Sequence, residues 1–259
     1  MELGSTGLRV ERRRRTAWCT VDNPDRPKTM SDEMYTELGK LIDAVEADAG
    51  LDALVVTGAG DVFIAGGDPA THTEDSDQAE DVELPFANLH RTGLPVVAAI
   101  NGHCQASGVW FAVLADVAIA SDRARFRLPE LRLGVAAPWS SAILPAVVGL
   151  AWAKDLALTS RSISAAEALE IGLISRVVAH DELADAAERV VAELLEAAPA
   201  ARAAWKAAVH KHISTIDDRS VGDSIRTPEA NEGFAAYAER RPPNWSSRHP
   251  RRAGTQKDD

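Results

Sequence analysis

Phe63-Ile64-Ala65-Gly66-Gly67-Asp68 and Pro95-Val96-Val97-Ala98-Ala99-Ile100-Asn101-Gly102 are the stretches that decide the fold. The second is an apolar run of Val, Ile and Ala without polar alternation, which predicts a strand buried on both faces, as in a parallel sheet. Ala53 to Thr57 and Val117 to Ala120 read the same way, each closed by Gly or Asp. Elsewhere the apolar spacing is helical. Ser31 followed by Asp32 and Glu33 starts a helix, and Met34, Leu38, Leu41, Ile42 and Val45 give it one apolar face. Trp110 to Leu114 forms a compact apolar stretch after Gly108, and Ser164 with Glu167 makes a capping box before Ala168, Leu169 and Ile171, closed by Gly172. Asp181 opens a long helix through Leu183, Val190, Val191, Leu194 and Leu195. Pro199 interrupts it before a second helical stretch from Trp205 to Lys211. Strands mixed with helices, then helices alone, predict an α/β core with a helical C-terminal portion.

Composition narrows the function classes. With 259 residues, 46% hydrophobic and 26% charged, the chain is long enough for a sizeable core and reads as soluble and globular. It shows no run of about 18 apolar residues, so no membrane partner is expected. The net charge of -11 argues against a nucleic-acid partner, because phosphate binding needs a net basic surface. Arg12 to Arg15 near the start, and Arg240, Arg241, Arg248, Arg251 and Arg252 near the end, are basic clusters that read as solvated surface. The acidic segment from Thr71 to Val82 is predicted to be a mobile loop or exposed helix, and the tail beyond Trp245 to be poorly ordered. Met1 to Gly4 runs into Arg9 to Arg15 without an apolar signal stretch, so a cytoplasmic location is expected. Two cysteines, Cys19 and Cys104, supply neither a structural zinc site nor a disulfide framework.

The common catalytic signatures are missing. Gly58-Ala59-Gly60 and Ala65-Gly66-Gly67-Asp68 lack the third glycine of a dinucleotide fingerprint and the Gly-Lys-Ser/Thr ending of a phosphate loop. Gln105-Ala106-Ser107-Gly108-Val109 has no glycine two residues before or after its serine, so it is not a nucleophile elbow. His103 and Cys104 would point to opposite faces of a strand and cannot form an ion-pair dyad.

Ordered motifs carry more. Phe63 to Asp68, Pro95 to Gly102, Ala115-Asp116 and Phe126-Arg127-Leu128-Pro129-Glu130 with Leu133-Gly134 together resemble the crotonase superfamily, the enoyl-CoA hydratases and isomerases. Asp22-Asn23-Pro24, the segment from Leu158 to Leu173 and Glu239-Arg240-Arg241-Pro242-Pro243 extend the likeness over nearly the whole chain. The resemblance implies a spiral of ββα turns over residues 1–198 and a helical trimerisation region over 199–259. The expected assembly is a homotrimer or hexamer. It also implies an acyl-CoA substrate, with CoA entering as part of the substrate and no metal or separate cofactor. The thioester carbonyl would be held by two backbone amides, so that an enolate can form. By similarity these are the amides of Gly67 and Ser107, the latter at a helix start whose dipole adds a favourable field. Ala65, Gly66, Asp68, Trp110, Pro138 and Trp139 would line the acyl site, and Arg26, Arg240 and Arg241 are candidate phosphate contacts.

Departures from the family pattern shape the expected reaction. The usual three glycines of the second amide loop are Ala106-Ser107-Gly108 here. Family hydratases use two glutamates; one corresponds to Glu130, but the other falls on Trp110, and an indole is no general base. The backbone N–H that would hold the water falls on Pro138, which has none. One carboxylate over an enolate suits proton shuttling, so isomerisation is expected ahead of hydration, with the Glu130 pKa raised by its aromatic surroundings. Decarboxylation, thioester hydrolysis and carbon-carbon bond hydrolysis remain open within the superfamily. So does a catalytically inactive trimer that only binds an acyl-CoA or a partner.

Overall fold

Asn101-Gly102 ends its strand because of what the next layer demands. The Asn101 side chain accepts from the Gly58 N–H at 2.9 Å and donates to the carbonyls of Gly60 at 2.9 Å and Val62 at 3.1 Å. A Cβ at Gly102 would lie 1.9 Å from the Asp61 carbonyl oxygen, and one at Gly58 would lie 1.9 Å from that of Val62. Only glycine allows these crossovers between two sheets to pack so closely.

The computed structural model describes residues 7–23, 29–67, 84–212 and 218–245. A hairpin of β1 (Leu8–Arg13) and β2 (Thr16–Val21) precedes α1 (Asp32–Ala47), whose first turn is capped by the Ser31 hydroxyl accepting from the Met34 N–H at 3.2 Å. Three passes of strand, strand and helix follow. They are β3 (Ala53–Gly58), β4 (Val62–Ile64) and α2 (Phe86–Arg91); β5 (Val96–Ile100), β6 (His103–Gln105) and α3 (Ser107–Leu114); and β7 (Val117–Ser121), β8 (Arg125–Arg127) and α4 (Pro138–Thr159). A 3-10 turn, Glu130–Leu133, stands before α4. The chain continues through β9 (Ile163–Ser164), α5 (Ala165–Glu170), β10 (Arg176–Val178), α6 (Leu183–Leu195), α7 (Pro199–His210), α8 (Asp218–Ile225) and α9 (Pro228–Ala238).

The first strand of each pass joins a sheet ordered β1-β2-β3-β5-β7-β10, and the second joins one ordered β4-β6-β8-β9. Successive passes pair in parallel, so the chain advances one strand per turn in both sheets. That is a spiral of ββα turns. The continuous apolar runs are explained by burial on both faces: Leu54, Val56, Val96, Ala98 and Ile100 enter the core containing α1, whereas Val55, Val97, Ala99 and Ile119 face Ala187, Val190 and Val191 of α6.

Some local expectations need correction. Asp181 lies in a 3-10 turn, His180–Glu182, and α6 begins at Leu183. Ser164 accepts from the Glu167 N–H at 3.2 Å, but the Glu167 carboxylate pairs with Arg161 at 2.5 Å, so the reciprocal half of the capping box is spent elsewhere. α4 is long and apolar enough to cross a membrane, contrary to the sequence count. It breaks at Gly149 (φ 75°, ψ 160°) into two shorter helices, and Trp139, Ile143, Leu144, Val148 and Leu156 are buried. Thr71 to Val82 and the tail beyond Trp245 lie outside the described residues.

Candidate active site

Two loops meet at the ends of β4 and β6. After β4 the chain passes through Ala65, half-buried, and Gly66, buried at φ 99°, to Gly67, which is exposed. After β6 it turns through Ala106 (φ 49°, ψ -119°) into α3. A Cβ at Gly66 would lie 3.0 Å from the Ala106 Cβ, so the loops touch there. Two further glycine features hold the arrangement. The Gly66 carbonyl accepts from the Met30 N–H at 2.9 Å, and a Cβ at Gly108 would lie 2.2 Å from the Ile64 carbonyl oxygen. Among the described residues, the Gly67 and Ser107 amides donate to no backbone acceptor outside regular elements. Ser107 opens α3, whose Val109 and Trp110 N–H groups donate to the Ala106 carbonyl at 2.9 and 3.3 Å, and its own amide lies at the positive end of the helix dipole.

Glu130 is the only fully buried carboxylate among the described residues, at 6% exposure. The turn after Pro129 places it first in its 3-10 helix, and its Oε1 has no hydrogen-bond partner. Burial raises its pKa from 4.5 to about 7, and the residue's own backbone N–H offsets this in part. The side chain can therefore gain and lose a proton near neutrality. Two glycines dock α9 on this turn: a Cβ at Gly134 would lie 2.3 Å from the Glu229 carbonyl oxygen, and one at Gly233 would lie 2.3 Å from that of Leu133.

Aromatic side chains cluster between α2, α3 and α4. Phe86 lies between Trp110 and Trp139, with ring centroids 5.6 and 5.3 Å away. Both indole N–H groups and the Ser140 hydroxyl are buried without partners. Trp110 is carried by α3, three residues after Ser107, and Pro138 is the first residue of α4, following Ala137 in the left-handed region at φ 51°.

The phosphate candidates separate. Arg241 already holds Glu232 through both terminal nitrogens, at 2.6 and 3.0 Å, and Glu239 through Nε at 2.5 Å. Its fork is filled by carboxylates, and the paired Glu232 pKa falls to about 2. Arg240 is exposed at the end of α9. Arg26 and Asp68 lie outside the described residues. A cavity of about 270 Å³ opens beside the first loop, bordered by Asn23, Thr29, Met30, Asp61, Phe63 and Ala65. Neither Ser107 nor Glu130 lines it.

Sequence reading passed over Tyr35. It lies on α1 beside Met34, and its hydroxyl is 2.6 Å from the Ser107 hydroxyl, both buried. The available signal was one polar-tipped aromatic next to the apolar stripe of that helix.

The enoyl-CoA hydratase/isomerase family model matches residues 11–248. The chain is 31% identical over 252 residues to a probable enoyl-CoA hydratase of Mycobacterium leprae, covering 92% of this chain and 97% of that protein. It is 32% identical over 247 residues to a carnitinyl-CoA dehydratase of Salmonella arizonae, covering 85% and 92%. Among solved structures, an enoyl-CoA hydratase/isomerase from Pseudoalteromonas atlantica superposes with a TM-score of 0.81 at 25% identity, covering 93% of this chain and all of that one. A carnitinyl-CoA hydratase from Mycobacterium avium gives 0.78 at 27% identity, covering 93% and 99%.

Proposed function

The chain belongs to the enoyl-CoA hydratase/isomerase family and has its crotonase-like fold, and from that premise we propose that it processes an acyl-CoA thioester through an enolate, moving a proton between carbons in preference to adding water. Glu130 carries this reading: one buried carboxyl, poised near neutrality, with an indole where a hydratase would have its second carboxylate.

The amides of Gly67 and Ser107 hold the thioester oxygen. Ionised Glu130 takes a proton from the α-carbon, and the electron pair of that C–H bond moves into an enolate whose charge rests on the held oxygen. The protonated carboxyl then delivers the proton to the γ-carbon, and the double bond re-forms one position along. Stabilising the oxygen before reaction lowers the barrier because preorganised donors need not rearrange as charge develops. A positioned base contributes about 10² to 10⁴ in rate. Trp110, Trp139 and Phe86 keep bulk water from the acyl group, and Pro138 offers no N–H to hold a water. Arg240 is the better placed of the two C-terminal phosphate candidates, since Arg241 is already engaged. Assembly as a homotrimer or hexamer and a cytoplasmic location belong to the same proposal. Sedimentation and fractionation test them.

The names of the relatives, hydratases and a dehydratase, favour a lyase as the second reading. The experiment uses 3-enoyl-CoA and crotonyl-CoA in heavy water. Expected are α-deuteration, double-bond migration and slow hydration, with Trp110→Glu raising hydration. Wild-type hydration of crotonyl-CoA at about 10 per second or faster would favour the lyase. Tight acyl-CoA binding without exchange would mean a binding protein.

A further inference from the structure

Tyr35 reaches the place where the two amide loops meet. Its hydroxyl lies 2.6 Å from Ser107 Oγ, and both its hydroxyl and its Cε2 lie 3.8 Å from where a side chain at Gly67 would begin. The phenol thus bonds to the loop of Ser107 and lies close beside the loop of Gly67. Burial raises its pKa, the Ser107 hydrogen bond lowers it in part, and the fields of Asp32 and Glu130 raise it further. It stays a neutral hydroxyl throughout the working range.

Two hydroxyls sharing one hydrogen bond have two protons, and only one lies between them. A phenol is the stronger acid and an aliphatic hydroxyl the better acceptor, so Tyr35 donates and Ser107 accepts. The Ser107 proton is then left over, and among the described residues its hydroxyl has no partner besides Tyr35. Accepting from the phenol polarises that O–H and strengthens what it donates onward. Ser107 therefore presents two donors from one residue, its amide and its hydroxyl, at the positive end of α3.

We propose that the Tyr35–Ser107 hydroxyl pair is a third donor to the enolate oxygen: Ser107 Oγ donates to it directly, and Tyr35 is the positioning residue that orients and polarises Ser107. This rests on the thioester reading above. It gives the Ala106-Ser107-Gly108 departure a chemical purpose, because a glycine at 107 could supply only the amide. The proton stays on Ser107 throughout; no covalent bond forms with the substrate.

The test uses 2,4-hexadienoyl-CoA, whose absorption moves to longer wavelength when donors polarise its carbonyl, so the readout needs no turnover. Wild-type protein is expected to bind it with a red shift. Tyr35→Phe and Ser107→Ala should each shrink that shift while changing affinity only a few-fold, Ser107→Thr should restore most of it, and the double variant should lose no more than the larger single loss. Turnover of 3-enoyl-CoA should fall about tenfold or more in kcat with KM nearly unchanged, as expected for a donor acting chiefly in the transition state. An unaltered shift in Ser107→Ala overturns the proposal, even where Tyr35→Phe fails to fold. Additive losses in the double variant overturn the assigned coupling. Failure of the wild type to bind any CoA thioester is a different result: it removes the thioester reading, and this proposal with it.

Discussion

Glu130→Gln should stabilise the protein, and the gain should grow with pH. In the native state burial lifts the carboxyl pKa from 4.5 to about 7. Between those values the unfolded chain releases its proton while the native chain keeps it, so rising pH favours the unfolded state. The penalty is nearly absent below pH 4.5, accumulates through the window and is complete above about pH 7. At about 1.4 kcal/mol per pH unit, the full penalty is roughly 3 kcal/mol. Glutamine never ionises, and it places an amide of nearly the same shape where Oε1 already lacks a partner. The comparison therefore isolates the ionisation. Urea unfolding of both proteins at about pH 5.5 and 8.5 should show the advantage of the variant growing by roughly 2 kcal/mol, with equal m-values. An advantage independent of pH would refute the claim that the native carboxyl is held protonated by burial. On the proposed reading the same group governs activity in the opposite sense: proton abstraction should rise with pH through about 7, and the variant should lose about 10² or more of it.

Three other substitutions test how the site is supported. Lys206 is buried and donates to the Leu94 carbonyl and, at 2.7 Å, to Asp116, so Lys206→Met should destabilise by about 3 kcal/mol in urea unfolding by leaving that carboxylate without its charge partner. Gly233→Ala places a carbon about 2.3 Å from the Leu133 carbonyl oxygen; it should lower stability by about 1 to 3 kcal/mol and reduce proton exchange, because α9 must lift from the turn holding Glu130. Ala106→Gly relieves a residue at φ 49°, ψ -119° and should raise stability by about 1 kcal/mol, read as an increased melting temperature.

The buried strands were legible where burial is two-sided; the spiral that joins them was implied by the family resemblance. Val96 to Ile100 cannot alternate polar and apolar residues because helices cover both faces of its sheet. Ser31 was legible as a cap because its bond to the Met34 N–H is local. The site was legible only as far as motifs run along the chain. Gly66-Gly67 and Ala106-Ser107 could be named, but their contact depends on β4 pairing in parallel with β6, a register the sequence does not spell out. Tyr35 was missed because its partner is 72 residues away. Lys206 was not singled out in its helical stretch, because its partner Asp116 lies 90 residues away. Arg241 was named as a phosphate contact because sequence shows charge but not its closure onto Glu232.

On the proposed function, the way the spiral distributes these parts lets the reaction change while the oxyanion site persists. The pass of β3 and β4 ends in the Gly67 loop, the next ends in Ser107, and the third ends in Glu130. Each pass therefore contributes one chemical element at the end of its second strand, fixed by parallel pairing with the pass before. On the same reading, an indole in place of a carboxylate at Trp110 alters α3 only three residues beyond Ser107, away from the amide that begins the helix. On the proposed reading, the two amides that hold the anion are backbone positions, which the sheets set and which the Ser107 hydroxyl supplements, whereas what happens to the anion depends on the side chains of Trp110 and Glu130. On that logic Trp110→Glu should change the outcome of the reaction and leave the hexadienoyl-CoA red shift nearly intact, whereas Gly108→Ala should abolish the shift. A Cβ there would lie 2.2 Å from the Ile64 carbonyl oxygen, forcing apart the two loops that supply the donors. A red shift that survived Gly108→Ala in a folded protein would contradict this division of labour.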